Sequence, residues 1–215
     1  MLDIGCGWGG FAEYAATHRQ AHVTGVTISN AQFDYATDRM KKQGIEDKTS
    51  IQLTDYRDID GRFDKIVSIE MFEAVGMQYW PVFFGKLSQS LKSGGSAALQ
   101  LITIEQKSFD SYVRQPDFIQ RYIFPGGMLP SIEALDNPIS TAQMKMTENN
   151  GYAHDYAHTL RRWRERFLSA WDNELQFGKF DQRFKRMWEL YLAYCEGGFT
   201  AGMIDVNQIV LKPKL

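Results

Sequence analysis

The sequence predicts an α/β fold, a doubly wound and mostly parallel sheet with a helical excursion over its ligand edge. Three observations predict it. Apolar runs of strand length alternate with amphipathic stretches of helix length through residues 1–104, the rhythm that successive βαβ units produce. The first apolar run passes straight into the glycine-dense turn Gly5-Cys6-Gly7-Trp8-Gly9-Gly10, at the strand end where such sheets meet their ligands. The chain has 215 residues, 44% hydrophobic and 13% aromatic, enough to bury one sizeable core.

The elements follow in order. Phe11 to Arg19 forms a first helix, His22 to Ile28 a strand, and Asn30 to Gln43 a second helix that Gly44 closes in the left-handed conformation favoured after a helix. Thr49 to Leu53 is the next strand, followed by the polar turn Asp55-Tyr56-Arg57-Asp58. Phe63 to Ile69 is a strand, Tyr79 to Leu91 a helix stopped by Gly94-Gly95, and Ala97 to Ile104 another strand. The rhythm then breaks. Residues Phe118 to Pro130 are aromatic yet rich in turn formers, which predicts a folded excursion over the sheet edge. A short helix at Ser131 to Leu135, a strand at Gln143 to Thr147, two aromatic helices at Leu160 to Trp171 and Phe180 to Cys195, and a strand at Ile204 to Leu211 complete the chain.

No repeat, low-complexity stretch or linker interrupts it, so residues 1–215 read as a single domain. Met1 stands only one residue before the buried end of a strand, where about five or six residues are usual. The expectation is therefore either that the start is a fragment boundary or that a preceding helical segment that would shield the ligand is missing from this chain.

Charge and cysteine usage exclude several classes. A net charge of −2 offers no general attraction to nucleic acid. Cys6 and Cys195, the only thiols, lie far apart and share no metal-ligand spacing with His18, His22, His154 or His158, which predicts packed thiols and no metal site. No signal peptide or membrane-spanning apolar run is present, so a cytoplasmic location, in solution or at a membrane surface, is expected.

The glycine turn carries the chemistry. Alternate glycines let the backbone take left-handed dihedrals and come within van der Waals contact of a ligand. The Lys-Ser/Thr of a phosphate loop is absent, and the second strand is followed by Thr27, Ser29 and Gln32 where a dinucleotide site would place a lone carboxylate. The spacing D-x-G-x-G-x-G, led by Asp3, suits a ligand with an amino-acid moiety and a ribose, for which S-adenosylmethionine is the candidate. The alternative is a tight strand-to-helix turn with no ligand.

The segments DIGCGWGG, GVTISNAQ, DYRD, FDKIVSIEMFEAVG, YIFPGGMLPS, HDYAHTL and RRWRERFLSAW, in this order, resemble the cyclopropane-fatty-acyl-phospholipid synthase family of S-adenosylmethionine-dependent methyltransferases, which has a Rossmann-like class I fold. The resemblance covers nearly the whole chain. It implies that Asp3, Gly5 and Gly7 meet the methionine end of the cofactor, that Thr27, Ser29 and Gln32 line its ribose and adenine side, and that Asp55 and Tyr56 bracket the adenine. It implies transfer of a methyl group to a cis double bond of a phospholipid acyl chain at the inner membrane surface, by an enzyme able to form homodimers. It also implies a bicarbonate base held by Glu73, Tyr156 and the backbone of Ile104. On the residues alone, the alternative for Glu73 is a helix-surface charge, and for Tyr156 a core aromatic with a satisfied hydroxyl.

The resemblance has departures. Ile102 stands where the family usually places a histidine, Glu73-Ala74-Val75-Gly76 replaces E-H-V-G, and a cysteine contributed ahead of the glycine loop has no counterpart. Loss of an anion ligand makes a methyl-branched product an alternative to the cyclopropane. Glu70 would share the face of Glu73 if a helix began there, and solvation is its expected state. Leu160, Trp163, Phe167, Leu168 and Trp171 form one helical stripe among Arg161, Arg162, Arg164 and Arg166, which reads as core packing with a solvated face or as a basic surface for anionic lipid. Three classes remain: an acyl-lipid methyltransferase, a small-molecule methyltransferase, and a non-catalytic remnant.

Overall fold

The computed structural model describes residues 1–174 and 180–214, without the side chains of 173 and 174. Strands β1 (Leu2–Ile4), β2 (Val23–Thr27), β3 (Thr49–Leu53), β4 (Phe63–Ile69) and β5 (Leu91–Ile104) alternate with helices α1 (Gly10–Arg19), α2 (Asn30–Lys42) and α3 (Trp80–Ser90). Then come α4 (Gln106–Arg114), α5 (Phe118–Tyr122), α6 (Ile132–Thr141), β6 (Met144–Gly151), α7 (Ala153–Glu174), α8 (Gln182–Thr200) and β7 (Ile204–Pro213). The strands form one sheet in the order β3-β2-β1-β4-β5-β7-β6. Its first four pairings are parallel. β7 runs the other way: Gln208 bonds Gln100 and Asn207 bonds Thr103 on one side, while Thr147 bonds Val210 and Lys214 bonds Gln143 on the other. The α/β expectation holds, with a mixed sheet.

The reversal of order at β1, between β2 and β4, is the switch point at which ligands enter open α/β sheets. It puts the end of β1 and its glycine turn in the middle of the C-terminal edge.

The described residues group into two compact units, one of Met1–Leu101, Ala134–Asn150 and Gln208–Leu215, the other of Ile102–Glu133 and Gly151–Asn207. In the first, small side chains of α1 (Ala12, Ala15, Ala16) let the helix lie close against Val23, Met40 and Ile45. An aromatic knot of Phe72, Trp80, Phe83 and Phe84 fixes α3, with ring centres 5.0–5.5 Å apart. In the second unit, Ala157, Leu160, Leu192, Phe199 and Val206 join α7, α8 and β7.

Several boundaries differ from expectation for physical reasons. Gly94-Gly95 do not stop α3, which ends at Ser90, but lie inside β5. Phe63 pairs with Leu91 and Lys65 with Ser96, so β5 bulges there around Gly94 at φ 73°. α6 continues through Pro138 to Thr141, because Leu135, Pro138 and Ile139 are all buried and their packing outweighs the helix-breaking proline. α7 begins seven residues before Leu160, at Ala153. Trp163 is not core: it is 45% exposed, whereas Leu160 and Trp171 are buried.

Candidate functional site

β1 is buried on every residue, Asp3 included. Its end is tied to β2 because the amides of Gly5 and Cys6 both donate to the carbonyl of Val26, each at 3.0 Å. Two glycines here answer different needs. A Cβ on Gly5 would sit 2.6 Å from Cγ of Met71, so that position is closed by packing. Gly7, at φ 55°, has open space around its missing Cβ, so its bare backbone faces room for a ligand.

Asp3 is the electrostatic anomaly of this turn. Its side chain is 2% exposed, and Oδ2 is buried with no hydrogen-bond partner among the described residues. Burial pushes its carboxyl up to about 7, because the charged form loses its water. A buried carboxylate with an unsatisfied oxygen is completed by a cationic donor. The adjacent Cys6 thiol is pushed up to about 12 by burial and by Asp3, and is inert as a nucleophile at neutral pH.

At the end of β2, Thr27, Ser29 and Gln32 meet. The Thr27 hydroxyl donates to Oε1 of Gln32 at 2.7 Å and accepts the Ser29 amide, while Ser29 Oγ accepts the Gln32 amide as the N-cap of α2. With Oε1 engaged, the Gln32 amide nitrogen is the group left to donate outward. Asp55 and Tyr56 follow β3 in a 3₁₀ turn. Both oxygens of Asp55 are held by the Arg57 guanidinium, at 2.9 and 2.7 Å, which lowers its carboxyl. The sequence did not reveal this ion pair, although D-x-R offered the signal. The Tyr56 ring lies edge-on to Phe83, 5.5 Å away.

Glu73 sits in the 3₁₀ turn Phe72–Ala74 after β4, half-buried, with Oε2 inside. The helix that would align it with Glu70 does not form. Glu70 lies ahead of the turn at φ 51°, exposed, and accepts from the Gln100 side chain at 2.7 Å.

Tyr156 and Ile104 belong to the second unit. Tyr156 packs its ring 4.9 Å from Phe199 and edge-on to Trp163. The Ile104 amide donates to the Pro130 carbonyl at 2.9 Å. Next to it, buried Asn207 donates to Thr103 Oγ1 at 2.7 Å. A polar residue within the apolar run of β7 was the overlooked signal for this pair.

Comparison with known proteins sets this geometry in a lineage. Residues 1–209 match the family described as mycolic acid cyclopropane synthetase. The tuberculostearic acid methyltransferase UfaA1 of Mycobacterium tuberculosis is 43% identical over 98% of this chain and 49% of its own length. The cyclopropane-fatty-acyl-phospholipid synthase of Escherichia coli is 40% identical over 98% of this chain and 52% of its own. The chain thus spans about half the length of the curated relatives it matches. Among solved structures, mycolic acid cyclopropane synthase CmaA1 complexed with SAH and CTAB superposes with a TM-score of 0.85 at 26% identity, covering 98% of this chain and 76% of that one. A glycine turn at the switch point, a buried acid at its head and a family match along almost every residue agree: the chain belongs to the mycolic acid cyclopropane synthetase family and has the class I methyltransferase fold.

Proposed function

We propose that this protein is an S-adenosylmethionine-dependent C-methyltransferase that acts on the double bond of an unsaturated phospholipid acyl chain, peripheral to the inner face of the membrane, and gives a cyclopropane or methyl-branched acyl product. Residues 1–215 act as one methyltransferase domain. The observation that carries the cofactor reading is the buried, unsatisfied Asp3 carboxylate beside the open Gly7 backbone. The residues present fit this cofactor: a buried anion for its ammonium group, bare backbone for its chain, and hydroxyl and amide groups for its ribose. S-adenosylmethionine supplies, when bound, an electrophilic methyl group on a sulfonium.

The chain's own groups then have distinct tasks. Asp3 neutralises the amine, and Gly5 and Gly7 keep the turn narrow enough for close approach. Thr27 and Ser29 fix Gln32 so that its amide addresses the ribose and adenine side. Tyr56 offers a ring to the base, and Asp55, already bound by Arg57, accepts from the adenine amine with a remaining lone pair. Glu73 and Tyr156 keep the roles that the resemblance implies, each holding a small anion such as bicarbonate that takes the proton lost in ring closure. Glu73 contributes by accepting from that anion's own hydroxyl, since two anions repel unless a proton lies between them.

The lipid reading draws support from the names of the relatives, a fatty-acyl-phospholipid synthase and a tuberculostearic acid methyltransferase. Calorimetric titration of the intact protein with S-adenosylmethionine tests the cofactor half, and a saturable heat of binding is expected. A flat titration overturns it. Activity on a soluble acceptor in the absence of any lipid overturns the substrate half.

A further inference from the structure

Among the described residues, one face of α8 is left uncovered. Arg183, Arg186, Leu190 and Tyr194 recur at spacings of three and four, so they share one side of the helix, and all four are exposed. Leu190 is 52% exposed and Tyr194 48%. The segment around α5, in the same compact unit, widens this face. Phe118 lies 6.1 Å from Tyr194 and 5.7 Å from Tyr122, ring centre to ring centre, and Phe124 lies 5.9 Å from Tyr191. Tyr122 and Phe124 nonetheless turn 61% and 53% of their surface outward. Arg121 is exposed beside them.

Among the described residues neither Arg183 nor Arg186 is held in an ion pair; of the nearby acids, Glu189 is half-buried on α8 and two serve as helix caps. Asp117 caps α5 through the Gln120 amide and accepts the Tyr194 hydroxyl, and Asp181 caps α8 through the Phe184 amide. The basic face expected on α7 is weaker than its sequence suggests, because Glu196 holds both Arg161 and Arg164, at 2.8 and 3.0 Å.

We propose that the face formed by α8 and the α5 segment docks on a bilayer containing anionic phospholipid, its rings and Leu190 entering the boundary between headgroups and acyl chains and its arginines meeting lipid phosphates. Exposed aromatics and leucine flanked by arginine match that boundary in both polarity and charge. The inference rests on the acyl-lipid reading and names the surface that delivers the protein to its substrate.

Co-sedimentation of the intact protein with vesicles of phosphatidylglycerol and phosphatidylcholine, against phosphatidylcholine alone, tests it. Removing two cations in the double variant Arg183→Gln, Arg186→Gln should weaken binding about 30-fold at low salt and much less at high salt. The pair Leu190→Ser, Phe124→Ser should weaken it at every salt concentration, whereas Arg162→Gln, Arg166→Gln on α7 should change it little. Unchanged sedimentation of the α8 variants, equal binding to neutral vesicles, or capture of an acyl-carrier protein with no vesicle binding overturns the proposal. Far-UV circular dichroism and donor titration on the same samples separate the two levels. If the wild type takes up S-adenosylmethionine and methylates a detergent-dispersed alkene while the variants still sediment, only the docking surface fails. If it does neither, the reading beneath fails.

Discussion

At the residue scale the account turns on Asp3. Its folded-state carboxyl is raised from the ordinary value of 3.8 to about 7, so the native state holds this proton more tightly than the unfolded chain. Stability without ligand is therefore full below about pH 4, falls as pH rises through about 7 and is level above, a loss on the order of 4 kcal/mol from this group alone. Urea denaturation at stepped pH measures it, and Asp3→Asn should remove that slope. A cationic amine reverses the preference by favouring the ionised form. Affinity for S-adenosylmethionine should climb between about pH 5.5 and pH 7, and Asp3→Asn should lower it about 10- to 100-fold at pH 7.5. An unchanged titration would remove Asp3 from the site. The two glycines separate packing from binding in the same assay. Gly5→Ala, driven into Met71, should cost roughly 2–4 kcal/mol of stability. Gly7→Ala should cost only about 1 kcal/mol yet still impair donor binding.

At the scale of elements, the turn from β2 into α2 is held by a short relay of side chains, in which Thr27 Oγ1 both donates and accepts. Thr27→Val keeps the shape and removes both bonds, so a loss of about 1–2 kcal/mol is expected in thermal unfolding, together with a rise in the dissociation constant for the donor. The positions of this relay, though not its bonds, were legible in the sequence because a polar strand end marks itself locally. So were β3 and β4, whose bounds match expectation residue for residue. α4 was not foreseen, although Phe109, Tyr112 and Val113 recur at helical spacing within its nine residues and Phe109 is buried. The Gly94-Gly95 bulge and Pro138 misled because their local preference is strong, and tertiary pairing and packing overrule it. For the pairing of Asp55 with Arg57 the spacing D-x-R was a signal that went unread, and its two-oxygen geometry is set by rotamers in the folded turn.

At the scale of the whole molecule, the α/β class and its largely parallel sheet followed from the alternation of apolar and amphipathic segments, since few topologies satisfy it, whereas the strand order emerges only from the structure. Less visible was the partition into two compact units, because both β5 and β7 pass from one to the other within a single strand. Among the described residues no helix is long and apolar enough to cross a membrane; the account proposes methyl transfer to a phospholipid acyl chain. Its central claim is tested by incubating the intact protein with methyl-deuterated S-adenosylmethionine and vesicles of a cis-monounsaturated phospholipid, then fragmenting the lipid by mass spectrometry. The account predicts deuterium on one added carbon within the acyl chain, at the position of the lost double bond. Label found only on the headgroup, only on water-soluble acceptors, or nowhere would contradict it.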